Sequence, residues 1–302
     1  MPEVSEIRNY ADLLRNKLKG KNIIEFNILK GRYIKHGPFS LYEEIVQKLP
    51  LKVLDVNTKG KFLYITMENN YYIFSTTGRH GGWVYFDNKK NEFQFPLIDN
   101  YISSQNRKNM YKKHALNHLN IQFKTESGSV YYHDTLSFGT MKVIDNYDEL
   151  EKKLKTLGPD IMDESTTLEV FKDQLLKKTN LNKAIGNVLV NQKIISGIGN
   201  YLRADILWCS KISPFRKVQD LSEKDLEILY KKSKLLTWGE YDYKEGLKLK
   251  HILSNDKLPR DYNRNFFVYM CKEDIDGHKV KTDKLFEGSQ DRTIHWIPSV
   301  QK

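Results

Sequence analysis

Between residues 22 and 144 the sequence repeats one pattern eight times: a short run of β-branched and aromatic residues with period two, closed off by turn residues. The runs are Ile23–Ile28, Val53–Val56, Phe62–Ile65, Tyr71–Phe74, Trp83–Phe86, Asn120–Phe123, Val130–Tyr132 and Met141–Ile144. Many short alternating strands in sequence predict a β-sandwich or barrel. Ahead of them, Ile7, Tyr10, Ala11, Leu14 and Leu18 stand at helical spacing over residues 3–19, with Gly20 as the stop, which predicts a helix starting at Pro2. Leu41–Leu49 predicts a second helix inserted in the run of strands.

After residue 145 the period changes to 3.6. Asp148–Leu157, Leu168–Lys178, Asn182–Val190, Tyr201–Cys209 and Ser222–Thr237 all space apolar residues along one helical face. Two strand-like pieces, Phe266–Met270 and Thr293–Ile297, predict a terminal hairpin. The expected fold is therefore α+β, with an N-terminal β-sandwich and flanking helices over 1–145 and a helical domain over 165–265. A hairpin over 266–302 follows. Leu157-Gly158-Pro159-Asp160 lies in the intervening linker, 146–164, where Gly and Pro separate the two patterns.

Forty-nine Lys and Arg against 38 Asp and Glu give a formal net charge of +11. Clustered cations release counterions from phosphates, so this balance points to a nucleic acid, although a chain can also be simply soluble and basic. Charged Glu3, Glu6, Arg8 and Arg15 stand where a signal peptide needs an apolar core. No apolar stretch reaches the length of a membrane span. With only Cys209 and Cys271, a disulfide framework and a four-cysteine zinc site are excluded. These features predict a soluble, intracellular protein of a reducing compartment that makes no use of a membrane; a monomer is expected.

Two local features carry chemistry. If Met1 is trimmed, Pro2 presents a secondary amine beside Glu3, with Glu6 one helical turn on. Amines attack carbonyl carbons to form Schiff bases, and a terminal amine has an unperturbed pKa of about 7.7–8.0. Met-Pro-Glu can also occur by chance. The second feature is the turn Asn191-Gln-Lys-Ile-Ile-Ser-Gly-Ile-Gly-Asn200 between two helices. Gly197 and Gly199 would let successive N–H groups approach a phosphate, and Asn200 would cap the next helix. An ordinary interhelical turn has the same composition.

Taken together, Pro2, Glu3, Glu6 and Gly197-Ile-Gly-Asn200 resemble the formamidopyrimidine-DNA glycosylase and endonuclease VIII family. Leu189–Phe215 is similar to its helix–two-turn–helix (H2TH). The wording Gly197–Asp205 followed by Ile212-Ser-Pro-Phe215 is similar to endonuclease VIII-like members, with Asp205 where the family usually has Glu. The resemblance implies Pro2 as nucleophile, Glu3 as general acid and base, Glu6 in support, and Lys61 of Lys59–Leu63 as a phosphate ligand at the catalytic centre. It further implies that Gly197, Gly199, Asn200 and Arg292 hold DNA. Asp134-Thr-Leu-Ser-Phe-Gly139 resembles the family's Asp-x-Arg-Arg-Phe-Gly, which implies Phe138 and Leu136 as void-filling residues, with Leu136 and Ser137 replacing two arginines. Arg79 of Gly78–Gly82 stands at the other filling position, where many members have Met.

In zinc-bearing members four cysteines surround the terminal hairpin; here their places hold Asp276, Lys279, Ile297 and Val300. This implies a zincless finger with no metal and no cofactor, held by Phe267, Tyr269 and Trp296. Cys271, His278 and His295 form the alternative, a three-ligand site. The implied activity is that of a bifunctional DNA glycosylase and AP lyase of base excision repair. It would remove oxidised pyrimidines and hydantoins from damaged DNA, duplex or single-stranded, by β,δ-elimination. Competing readings are a catalytically inactive damaged-DNA-binding protein of the same fold, and an RNA- or ribosome-associated protein that uses only the helix–two-turn–helix.

Overall fold

Alternation of buried and exposed residues along the predicted strands builds two five-stranded antiparallel sheets. The computed structural model describes residues 2–101, 104–241, 266–287 and 290–302. In chain order the first compact unit contains α1 (Val4–Leu18) from Glu6 onward, β1 (Asn22–Ile23), β2 (Glu25–Ile28), α2 (Arg32–Lys35), α3 (Tyr42–Gln47), β3 (Leu51–Lys59), β4 (Phe62–Met67), β5 (Tyr72–Thr76), β6 (Gly82–Asp87), β7 (Glu92–Gln94), α4 (Pro96–Tyr101), α5 (Gln105–Asn117), β8 (Leu119–Thr125), β9 (Gly128–His133), β10 (Thr140–Ile144) and α6 (Tyr147–Lys155). The sheets run β1-β3-β4-β5-β10 and β2-β8-β9-β6-β7. Their inner faces share one core, with Val53, Ile65, Ile73 and Val143 from the first and Phe26, Trp83, Phe123 and Tyr132 from the second. Ile7, Leu14 and Leu18 of α1 join it. Among the described residues no helix is long and apolar enough to cross a membrane.

Ile23–Ile28 is not one strand. Asn22 and Ile23 pair with β3, whereas Glu25–Ile28 pair with β8 in the other sheet. The chain changes sheets at half-exposed Ile24, a corner of the kind that closes sandwiches. β7, α4 and α5 have no counterpart in the alternating pattern. In α5 only Ala115 is fully buried, so no apolar stripe exists to reveal the helix.

The second unit comprises residues 156–302 together with Glu3–Ser5. It holds α7 (Leu168–Leu175), α8 (Ile185–Val190), α9 (Asn200–Cys209), α10 (Glu223–Tyr241), and a hairpin of β11 (Lys281–Glu287) and β12 (Gln290–Trp296). The end expected for the helical domain at 265 lies outside the described residues.

No separate linker spans 146–164, because α6 belongs to the first unit, while Leu157–Asp160 is bonded into the second. There Gly158 N donates to Gln192 O, Ser196 N to Pro159 O and Ile161 N to Ser196 O. Phe266–Met270 is not a hairpin strand. The N–H groups of Phe267, Val268 and Tyr269 donate to the carboxylate of Asp205 at 3.3, 3.0 and 3.3 Å, which leaves them unavailable for a ladder. The hairpin begins at Lys281 instead.

Candidate active site

In the second unit the site is built around the start of α9. Gly199, its N-cap, carries no capping side chain, and Asn200 does not cap the helix as the turn chemistry suggested. Glu3 does so instead, from the far end of the sequence. Its Oε2 accepts from Gly199 N at 2.6 Å and Leu202 N at 3.4 Å, and its Oε1 accepts from Tyr201 N at 3.0 Å. The carboxylate is 2% exposed. A helix N-terminus offers unpaired N–H groups and a partial positive charge, and a carboxylate satisfies both.

The glycines therefore do not form an open phosphate cradle. Gly197 N donates to Gln192 Oε1 at 2.9 Å, and Gly199 N is taken by Glu3. Gly197 is needed for close approach: at φ +114 a Cβ would come 2.9 Å from Val4 Cβ, and Gly197 O accepts from Val4 N at 3.2 Å. Gln192 completes the clamp, donating to Val190 O and Ile198 O at 2.8 Å each. Its amide serves the turn on both sides, a role that a polar residue in a polar turn does not announce.

Asn200 is half-buried, with Oδ1 lacking a hydrogen-bond partner among the described residues, and Nε of Arg292 on β12 is buried in the same condition. The neighbour of Arg292 is tied to α9 through Arg203. This fully buried side chain donates to Thr293 O at 2.8 Å and to Gly186 O at 3.3 Å. Nothing in the spacing of the sequence singles out Arg203, since it falls inside a continuous helical pattern.

The hairpin is held by buried Leu285 and Ile294, which join the helical core. Trp296 donates to Asp283 at 2.8 Å and packs edge-on against Phe215, and Tyr269 packs against His295. Phe267 instead stacks on Trp208. Ile297 is buried and Val300 half-buried, so two of the four cysteine positions belong to the core. Cys271, His278 and His295 do not converge. The thiol of Cys271 donates to Phe266 O at 3.1 Å, and among the described residues the one cluster of three potential ligands is Asp274, Asp276 and His278. Asp274 there already accepts from Trp208 Nε1 and the N–H groups of Asp276 and His278. Both cysteines are unpaired.

The first unit holds the other expected residues. Pro2 is half-buried and Glu6 is buried in the first turn of α1. Lys61 is not on a strand: with Gly60, at φ +55, it forms the two-residue turn between Lys59 and Phe62. Phe138 is 58% exposed and Leu136 43% exposed. Their loop is rigidly anchored by Asp134, which accepts from Leu136 N at 3.1 Å and Gly139 N at 2.7 Å. Gly78 abuts the same loop, since a Cβ there would lie 2.8 Å from the Phe138 carbonyl carbon, and exposed Arg79 follows it. The two loops expected to fill a void thus lie side by side.

Three family models match in chain order: the formamidopyrimidine-DNA glycosylase N-terminal domain over residues 1–141, its H2TH domain over 157–237 and its C-terminal domain over 255–302. The chain is 25% identical to the formamidopyrimidine-DNA glycosylase of Listeria monocytogenes, with 100% of both chains covered. It is 27% identical to Endonuclease 8 of Salmonella arizonae, over 76% of this chain and 75% of the relative. The same fold is found in Lactococcus lactis formamidopyrimidine-DNA glycosylase, solved non-covalently bound to DNA containing an AP site, at a TM-score of 0.71 and 18% identity over 100% of both chains.

Proposed function

The chain belongs to the formamidopyrimidine-DNA glycosylase and endonuclease VIII family, and from that premise we propose that it excises oxidised pyrimidines and hydantoins through a Schiff base on Pro2. Its activity is that of a DNA glycosylase with AP lyase activity, acting on damaged DNA in base excision repair. The observation that carries the mechanism is the capping of α9 by Glu3. Three N–H bonds, from Gly199, Tyr201 and Leu202, pin the second residue of the Pro2-Glu3 pair to the start of α9, with Gly199 196 residues away in sequence.

With Met1 removed, the Pro2 nitrogen attacks sugar C1′ as the C1′–N bond to the damaged base breaks. Opening of the sugar ring leaves an iminium, which acidifies the C2′ proton. Loss of that proton breaks the C3′–O bond, and a second elimination breaks the C5′–O bond, releasing both phosphates. Glu3 serves the ring oxygen and the sugar protons as a general acid and base. Its two oxygens are held in fixed directions, so it acts from one geometry. Lys61, Asn200 and Arg292 grip phosphates, contacts that position the duplex without reading its sequence. Exposed Phe138 and Leu136, with Arg79, fill the space left by the flipped nucleotide; apolar wedges are the usual choice for that task. Loss of two arginines from that loop weakens its grip on an opposite base and favours tolerance of single strands.

The test is borohydride trapping of the correctly trimmed chain on duplex and single-stranded DNA bearing an abasic site or an oxidised pyrimidine. A covalent adduct and strand nicking are expected. Pro2→Gly, or a retained N-terminal extension, should abolish trapping while binding persists. Neither adduct nor nicking from the trimmed chain would favour the inactive DNA-binding protein instead.

A further inference from the structure

α5 carries Arg107, Lys108, Lys112, Lys113 and His114, and has no Asp or Glu along its 13 residues. One face packs against the sandwich: Ala115 is buried, Lys108 and Leu116 are half-buried, and Lys112 Nζ lies 5.2 Å from the centroid of Phe95. The opposite face is exposed and mixes two chemistries. Arg107 and Lys113 are cations, while Met110 and Tyr111, between them in sequence, are 58% and 46% exposed. Met110 and Tyr111 thus stand exposed among cations on a helix that carries no acidic residue.

The C-terminal end of α5 is fastened to the loop of Phe138. His114 Nε2 lies 2.9 Å from Thr135 Oγ1, and Asp134 N donates to His118 O at 3.1 Å. The helix that carries the exposed stripe is thereby tied to the loop that exposes Leu136 and Phe138. Thirteen helical residues extend about 20 Å, the length of about six stacked nucleotides. Cations alone would suit a duplex backbone, whose bases are already stacked. Exposed aromatic and thioether side chains interleaved with cations suit a strand whose bases have no partner, because every base offers a face to stack on.

We propose that the outer face of α5 is a docking track for unpaired DNA running away from the lesion, with Tyr111 stacking on a base and Arg107 and Lys113 holding phosphates. This rests on the reading of the Phe138 loop as the part of the first unit that meets the lesion. Binding is measured by fluorescence anisotropy on a short blunt duplex with a central abasic-site analogue, the same duplex with an unpaired tail on the lesion strand, and the single strand. The wild-type chain should bind the tailed duplex about 10-fold more tightly than the blunt one, as expected for one stacked base plus phosphate contacts. Arg107→Gln/Lys113→Gln should erase that gain, leave blunt-duplex affinity unchanged, and reduce the salt slope on the single strand by about 1.4. Tyr111→Ala should lower tailed-duplex affinity with the slope intact. Equal wild-type affinity for tailed and blunt duplexes, or a variant that loses blunt-duplex affinity to the same extent, overturns the track. Failure of the wild-type chain to nick a blunt abasic duplex overturns the glycosylase reading instead, and the affinity comparisons still decide whether α5 prefers unpaired DNA.

Discussion

Replacing Glu3 by Gln tests whether the residue is a structural keystone as well as a reacting group. The carboxylate accepts three N–H bonds at 2.6, 3.0 and 3.4 Å. Glutamine keeps one acceptor oxygen, which can retain the pair from Gly199 and Leu202, but turns an NH₂ towards Tyr201 N. At least one hydrogen bond to a charged group is lost, about 1.5–3 kcal/mol, and the favourable meeting of an anion with the helix N-terminus is lost as well, about 0.3–2 kcal/mol. The expected cost is about 3 kcal/mol, a fall in melting temperature of the second unit of about 6–12 °C. Calorimetry gives the shift, and amide hydrogen exchange at Tyr201 and Leu202 locates it, since opening of the first turn of α9 should become faster while the strands of the sandwich stay protected. Unchanged melting with unchanged exchange at those amides would refute the capping argument. Loss of trapping at unchanged stability would instead make Glu3 purely a reacting group.

Burial pushes the Asp205 carboxyl up to about 7, against the opposing effect of the N–H groups it accepts. Its folded-state pKa then exceeds the unfolded one, so the stability it contributes is fully present below about pH 4 and is lost as the pH rises towards 7, at most about 1.4 kcal/mol per pH unit. Asp205→Asn should flatten the melting temperature between those limits; an unaltered profile would count against it. Phe138→Ala, in an exposed loop anchored by Asp134, should leave the melting temperature nearly unchanged yet slow excision from duplex DNA by about 10-fold or more. Single-turnover rates on duplex and single-stranded substrates decide this, and an equal effect on both would argue against a wedge.

Most element types were legible along the chain because each buries one face, and the period of that burial is written locally. The eight alternating runs all became strand, and the five helical segments after residue 145 all became helix. Pairing was less legible. Nothing between Ile23 and Ile28 signals that the first two residues of the run serve one sheet and the remainder the other. α5 escaped because a helix with a single buried residue writes no stripe. The Phe266–Met270 segment has strand-like composition, yet its N–H groups go to Asp205, more than 60 residues earlier.

By itself the sequence determined the two-part architecture and, through Pro2, Glu3, the Gly197–Asn200 turn and Arg292, the family. Only the tertiary structure decided what those residues touch. It exchanged Asn200 for Glu3 as the cap of α9, closed the glycine N–H groups to a phosphate, set Lys61 in a turn, and left Phe138 exposed on its loop. The reason is physical: a period reflects which face of one element is buried, whereas a donor finds whichever acceptor folding brings within about 3 Å, and sequence distance places no limit on that choice.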